Sequence, residues 1–248
     1  ENIKWINEQF KDTNELTMKT LEDDDKKAEL FYIKPLINVE LLQQIIIKPY
    51  FEMQSETKFI RYLKALPQFQ DSKSQEQLKT EVLNGNVVLF IQNKFYLLDL
   101  KFSFNDQTNA ASVETTIHGS QLALSDNIAT NINIIRSDYH QPTLYVEYST
   151  IGQVNNHKMA IIYDKEKVNK NALKLITEKL QQVDKQVITS TVQLSNYINN
   201  KKLSLFPQLI MTERPDRIVY NLAGGKVIIL VDGNPQALIA PVYFFDFM

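Results

Sequence analysis

The chain has 248 residues, of which 44% are hydrophobic and 10% aromatic, ample material for burial and incompatible with wholesale disorder. Its 27 basic and 29 acidic residues leave a formal net charge of -2, so no bulk charge draws it to nucleic acid or an anionic membrane surface. Cysteine is absent, which excludes disulfides, thiol catalysis and thiolate metal sites together.

Domains of roughly 100 to 150 residues are the commonest size, so this length predicts two lobes. Ile3, Ile6 and Phe10, then Met18 and Leu21, recur near helical spacing and predict an N-terminal amphipathic helix up to about residue 21. EDDDKK, Glu22 to Lys27, breaks that pattern and reads as a solvated acidic linker. LFYI from Leu30 is strand-like, Pro35 and Asn38 mark a turn, and VELLQQIII is a helix expected to stop at Pro49. Two more helices follow in ETKFIRYLKAL, ended by Pro67, and in EQLKTEVL, stopped by Gly85. VVLFI and FYLLDL then read as a strand pair around Gln92 to Lys94.

The polar stretch Asp106 to Ser120 is the expected crossing between lobes. Beyond it, Ser125 is a candidate N-cap for a helix carrying Ile128, Ile132 and Ile135 on one face. TLYVEYST and HKMAIIYD read as strands, and NALKLITEKLQQV as a helix that begins near Asn169 or Asn171. STVQLSNYI is a further helix, and RPDRIVYNL is one opened by Pro215 and stopped at Gly224 and Gly225. VIILV and ALIAPVY end the chain as strands. These last apolar runs fall short of the roughly 20 residues of a membrane helix, so the segment reads as soluble. Glu1 without an initiator Met and the aromatic end VYFFDFM make both termini look cut from a longer chain.

LNGNVVLFI from Leu83 and LAGGKVIILV from Leu222 follow one plan, and setting Gly85 on Gly225 puts Val87 on Val227, Val88 on Ile228 and Leu98 on Leu238. The expected fold class is therefore α/β: two α/β subdomains with mixed sheets, built to a similar plan, plus the N-terminal helix. The expected divisions are 1–26 for the helix and acidic linker, 27–112 for the first subdomain and 113–248 for the second.

No arrangement of residues carries recognisable catalytic or metal chemistry. His118, His140 and His157 lack metal-ligand spacing, and neither a nucleophile elbow nor a phosphate loop is present. AGGKV is followed by a strand, where phosphate binding needs a helix N-terminus, so it reads as a helix C-cap with a left-handed glycine. The aromatics sit in strand-like runs without interleaved basic residues, which argues against a single-strand nucleic-acid platform. The expectation is a protein that is not an enzyme, with no catalytic residue, no metal and no cofactor. The densest charged cluster is Thr212, Glu213, Arg214, Pro215, Asp216 and Arg217, which holds half of the chain's four arginines. It reads either as a capped helix start with local ion pairs or as an arginine docking fork.

FPQLIMTERPDRIVYNLAGGKVIILVDGNPQALIAPV resembles the end of the N-terminal domain of GerA-type germinant receptor A subunits, membrane proteins of endospore-forming bacteria. The matching positions are Phe206, Pro207 and Gln208, then Thr212 to Arg217, then Gly225 through Asp232, Gly233 and Pro235. LFYIKPLINVELLQQIIIKPYFE and LNGNVVLFI match the family's first half, and TIG at Thr150 with KMAIIY at Lys158 match the second. One departure lies at 117–124, where His118, Gly119, Ser120, Gln121, Leu122, Ala123 and Leu124 keep only the Gly of the family's Arg-Gly-Pro loop.

The resemblance implies a domain that precedes several membrane helices beyond residue 248, in a receptor of A, B and C subunits at the spore inner membrane, with this domain on the cytoplasmic, spore-core side. It implies other A subunits as partners, no nucleic acid, and a complex that senses small nutrients and triggers ion release. The leading expectation is a non-enzymatic signalling and assembly module. The alternative is a module that itself binds a small nutrient germinant between its subdomains.

Overall fold

A computed structural model describes residues 2–71, 74–102, 122–152, 156–183, 188, 190–198 and 208–242. In chain order they form α1 (Asn2–Gln9), β1 (Leu16–Asp23), β2 (Lys26–Ile33), α2 (Val39–Leu42), α3 (Lys48–Glu52), α4 (Glu56–Lys64), β3 (Phe69–Asp71), α5 (Gln75–Leu83), β4 (Asn86–Ile91) and β5 (Lys94–Asp99). The remainder forms α6 (Ile128–Asp138), β6 (Leu144–Ile151), β7 (His157–Asp164), α7 (Lys170–Val183), α8 (Thr191–Ile198), β8 (Gln208–Thr212), α9 (Pro215–Ala223), β9 (Val227–Val231) and β10 (Ala237–Val242). The chain divides into two compact units, one carrying β1–β5 and the other β6–β10. The expected division at 112/113 falls outside the described residues.

The first sheet has the order β1-β2-β4-β5-β3, every neighbouring pair antiparallel. Leu30, Val87, Leu89 and Leu98 pack on one face beneath Leu42, Ile46, Phe59 and Leu63. Phe31, Ile33, Val88 and Leu97 pack on the other beneath Ile6, Phe10, Leu78 and Val82. With period-2 alternation both faces of each central strand are apolar, so helices must cover both.

Two expectations for the first 26 residues are corrected. The helix ends at Gln9, and Leu16–Asp23 instead pair with β2 from Leu16↔Ile33 to Asp23↔Lys26. The spacing of Met18 and Leu21 imitates a helix, but β2 has an edge whose backbone groups need partners, and an outer strand supplies a whole row of them. The acidic segment is likewise no solvated linker. It forms the β1–β2 turn, with Asp24 left-handed at φ 46°, and Lys26 is buried at 8% exposure. Lys26 Nζ donates to the carbonyls of Tyr50 (2.9 Å) and Met53 (2.7 Å) at the end of α3 and pairs with Asp23 at 2.7 Å. A cation is favoured there because the last carbonyls of a helix lack intrahelical partners.

The helix expected to stop at Pro49 runs on to Glu52 through a π-helical turn at Gln43–Ile47. Proline lacks an N–H and its ring crowds the carbonyl one turn back, and the wider π turn relieves that conflict.

The second sheet repeats the arrangement as β6-β7-β9-β10-β8, again antiparallel throughout. Val146, Ile162, Ile228 and Ile239 lie beneath α6 and α9, and Ile161, Val227, Ile229 and Leu238 beneath α7 and α8. Asn127, rather than Ser125, caps α6 by accepting from the Thr130 amide at 3.0 Å, and Ser125 Oγ accepts from Asn127 N one step outside. Asn169 caps α7, accepting from the amides of Asn171 and Ala172.

The α/β architecture with two subdomains on one plan stands, but the sheets are antiparallel rather than mixed. Alternating strand and helix suggested crossovers that return parallel. The short outer strands β3 and β8 reverse the chain inside each helical excursion, so β4 and β9 come back antiparallel to β2 and β7. The pairing also fixes which positions correspond. Ala28 opposes Ile91 and Met159 opposes Val231, which sets Ile33 on Asp164 and Leu36 on Lys167. Leu89 opposes Tyr96 while Ile229 opposes Leu238, so Leu238 corresponds to Tyr96 and not to Leu98. The longer second hairpin turn makes the difference.

Among the described residues, no helix is long and apolar enough to cross a membrane.

Candidate functional site

The charged cluster joins β8 to α9. Thr212 is buried at the end of β8, opposite Ala237, and its Oγ1 accepts from the Arg214 amide at 3.1 Å. That local bond turns the chain out of the strand. Pro215 follows at the first helical position, where its fixed φ suits the helix and its missing N–H costs nothing. Glu213 is buried, and its carbonyl accepts from the Leu124 amide at 2.8 Å. The tail of the divergent 117–124 segment thus docks here, with Ala123 and Leu124 buried; residues 117–121 lie outside the described residues.

Arg214 engages a carboxylate of its own helix. Its Nε donates to Asp216 Oδ1 at 3.1 Å and its terminal nitrogen to Oδ2 at 2.5 Å. This hydrogen-bonded guanidinium holds the Asp216 carboxyl below the usual carboxylate range, against a smaller opposing effect of partial burial. The Asp216 side chain is 54% exposed, so the pair orders the helix start more than it stabilises the fold. Arg217 is half-buried, and its carbonyl accepts from Asn221 Nδ2 at 2.7 Å. The segment is a helix start with a local ion pair, and the Arg214 fork is closed on Asp216.

At the other end of α9, Gly225 is left-handed at φ +79°, as the C-cap reading of AGGKV requires. A Cβ at this position would lie 2.3 Å from the Lys167 carbonyl oxygen, so the backbones meet where only glycine fits.

Asp232, Gly233 and Pro235 belong to the β9–β10 turn, which holds two helices. Asp232 Oδ1 accepts from the Ile128 amide at 3.0 Å, the first of α6. Asn234 Oδ1 accepts from the Thr191 amide at 3.1 Å, the first of α8. Gly233, at φ +80°, donates its amide to the Asp126 carbonyl at 2.8 Å. Gln208 opens β8, its backbone opposite Val242, while Pro207 lies outside the described residues. Among the expected positions, 212–217 and Gly225 frame one helix, and 232–235 frame the starts of two others.

A buried polar cluster escaped the sequence reading. Asp164, fully buried at the end of β7, accepts from Tyr139 Oη at 2.5 Å and Thr143 Oγ1 at 2.9 Å through Oδ2, and from the Glu166 amide at 2.9 Å through Oδ1. Lys167 Nζ lies 4.0 Å from the same carboxylate and donates to Tyr139 Oη at 3.3 Å. Burial first, then the hydrogen bond to Asp164 and its charge, push the Tyr139 phenol far above its ordinary range. Arg136, also fully buried, donates to the Leu144 carbonyl at 3.0 Å. The one sequence signal was an Asp closing the apolar run MAIIYD, where the first unit has Ile33. This cluster ties the end of α6 to the end of β7, with Asp164 and Tyr139 buried and the Lys167 side chain 45% exposed. Among the described residues, no three potential metal ligands come together.

The sequence profile of the Bacillus/Clostridium GerA spore germination protein family matches residues 4–248. The chain belongs to the GerA family. Among GerA relatives it is 28% identical over 238 residues to spore germination protein KA of Bacillus subtilis (strain 168), covering 93% of this chain and 44% of that protein. It is 28% identical over 236 residues to spore germination protein GerQA of Bacillus cereus, covering 92% of this chain and 47% of that protein. The chain thus spans about half the length of these GerA relatives. Its fold matches the crystal structure of the N-terminal domain of the A subunit of the Bacillus megaterium spore germinant receptor GerK3. That match has a TM-score of 0.70 at 21% identity and covers 98% of this chain and 94% of the other.

Proposed function

We propose that this chain is the N-terminal domain of a germinant receptor A subunit and acts as a non-enzymatic signalling and assembly module. In this reading it works with B and C subunits and with other A subunits at the spore inner membrane. A membrane-spanning region beyond residue 248 anchors it, with this domain on the spore-core side. It passes nutrient occupancy, sensed elsewhere in the complex, towards ion release.

The observation that carries this reading is the internal engagement of the signature residues. Arg214 grips Asp216, Asp232 holds the start of α6 and Gly225 packs against Lys167. Side chains committed to the pose of helices suit a part that transmits conformation. GerA membership and the likeness to the GerK3 domain support the placement in an A subunit.

The test is Arg214→Gln in the full-length receptor, which opens the fork at the surface without disturbing the core. Germination is expected to slow while receptor abundance in the spore stays normal. Normal germination would return the segment to a helix start alone. Calorimetry of the 248-residue chain against amino acids, sugars and nucleosides is expected to give no saturable heat. Saturable heat with one nutrient would make the domain a germinant-binding module instead.

A further inference from the structure

Helices α6 and α8 lie on opposite faces of the second sheet and begin in the same manner. The residue before each helix serves the third helical amide: Asn127 accepts from Thr130 N at 3.0 Å, and Ser190 Oγ from Gln193 N at 3.2 Å. The first amide of each goes to the β9–β10 turn, Ile128 to Asp232 and Thr191 to Asn234. These amides have no intrahelical partner, so each helix depends on the turn for a bond that it cannot make itself.

The two capping side chains are also joined to each other. Asn234 Nδ2 donates to the Asp232 carbonyl at 3.3 Å while its Oδ1 accepts from Thr191. Thr191 Oγ1 donates in addition to the Gln236 carbonyl at 3.4 Å, and the Asp232 amide pins the turn to β7 through the Lys158 carbonyl at 2.8 Å. A continuous series of hydrogen bonds therefore runs from the first amide of α8, through Asn234 and Asp232, to the first amide of α6. The corresponding turn in the first unit, Gln92–Asn93, is a two-residue left-handed turn exposed to solvent.

We infer that the Asp232–Asn234 turn is a conformational joint that couples the helices on the two faces of the second sheet. Loosening the start of one helix shifts the turn and loosens the other. This deepens the relay reading by naming the joint, but its test reads amide exchange and not germination, so the failure of either can be told apart.

The experiment is hydrogen–deuterium exchange of the 248-residue chain, with amides of the first unit's sheet as internal reference. In Asn234→Ala, exchange is expected to rise about five-fold or more at the start of α8 and also at the start of α6, and Asp232→Ala is expected to do the same. Acceleration confined to the helix that lost its own cap would overturn the coupling and leave two independent caps. If the alanine variants do not fold, two conservative changes decide it. Asp232→Asn keeps the acceptor for Ile128 and is expected to leave the starts of α6 and α8 within about two-fold of the parent. Asn234→Asp keeps the acceptor for Thr191 but removes the donor to the Asp232 carbonyl. It is expected to speed exchange at the start of α6, although α6 keeps its own cap on Asp232, and an unchanged α6 would overturn the joint.

Discussion

Gly225 meets the carbonyl oxygen of Lys167 so closely that a Cβ would stand 2.3 Å from it. Gly85 meets Leu36, the corresponding residue of the first unit, with its Cβ position 3.1 Å from that carbonyl. In both units the glycine that ends a helix lies on the loop leaving the sheet's second strand. Gly225→Ala is expected to lose about 3 kcal/mol or more, from the left-handed backbone plus a backbone clash that cannot relax. Gly233→Ala, equally left-handed but with nothing within 4 Å, is the control and should lose only about 1 kcal/mol. Urea denaturation of the two variants separates the clash from the backbone term.

Lys26 tests whether the acidic turn is structural. Lys26→Met removes the donor to two helix-end carbonyls and leaves Asp23 without that partner, for an expected loss of about 2 kcal/mol. Lys27, whose side chain is 61% exposed, should tolerate alanine with almost no change in the same denaturation series.

Two buried tyrosines should respond oppositely to loss of the hydroxyl. Tyr50 is fully buried and its Oη has no hydrogen-bond partner among the described residues, so Tyr50→Phe should be neutral or slightly stabilising. Tyr139→Phe removes a bond from buried Asp164 and should cost about 2 kcal/mol.

The same two groups set an alkaline limit. Burial, with smaller contributions from Glu56 and Asp23, raises the Tyr50 phenol to about 12, and Tyr139 is raised further by burial and by Asp164. A group with its folded value above its unfolded one binds more protons in the folded state, so stability falls as pH rises past the ordinary phenol value near 10. Tyr50→Phe should make that fall shallower up to about pH 12, as measured by denaturation across the range.

Asp216 has the opposite sign. Its folded value is depressed, so the stabilisation from Arg214 is present above the ordinary carboxylate range and disappears as pH falls through the folded value. Because the Asp216 carboxylate is 54% exposed and screened by solvent, the ion pair itself should contribute less than about 0.5 kcal/mol at neutral pH, and parent and Arg214→Gln should converge in acid.

Much of the fold was legible in local pattern. VVLFI and VIILV are apolar at every position because helices cover both faces, and Pro215, Gly85 and Gly225 mark helix ends by backbone conformation alone. The outer strands were not legible. β1 carries the burial of an edge strand, with only Leu21 fully inside, and the spacing of Met18 and Leu21 fits a helix equally well. β3 and β8 are short, and overlooking them concealed why the sheets are antiparallel.

By itself, the sequence determined family, the types of the central strands and most helices, the internal plan and the glycines that no side chain can replace, since these depend on local dihedrals and on motifs contiguous in the chain. The tertiary structure decided what the signature residues hold. Asp232 and Ile128 are 104 positions apart, and Asn234 and Thr191 are 43 apart, so their pairing exists only once the sheet has formed. The same is true of Tyr139 and Asp164. A buried carboxylate needs partners that converge from several elements, and no spacing along one chain reveals which will arrive.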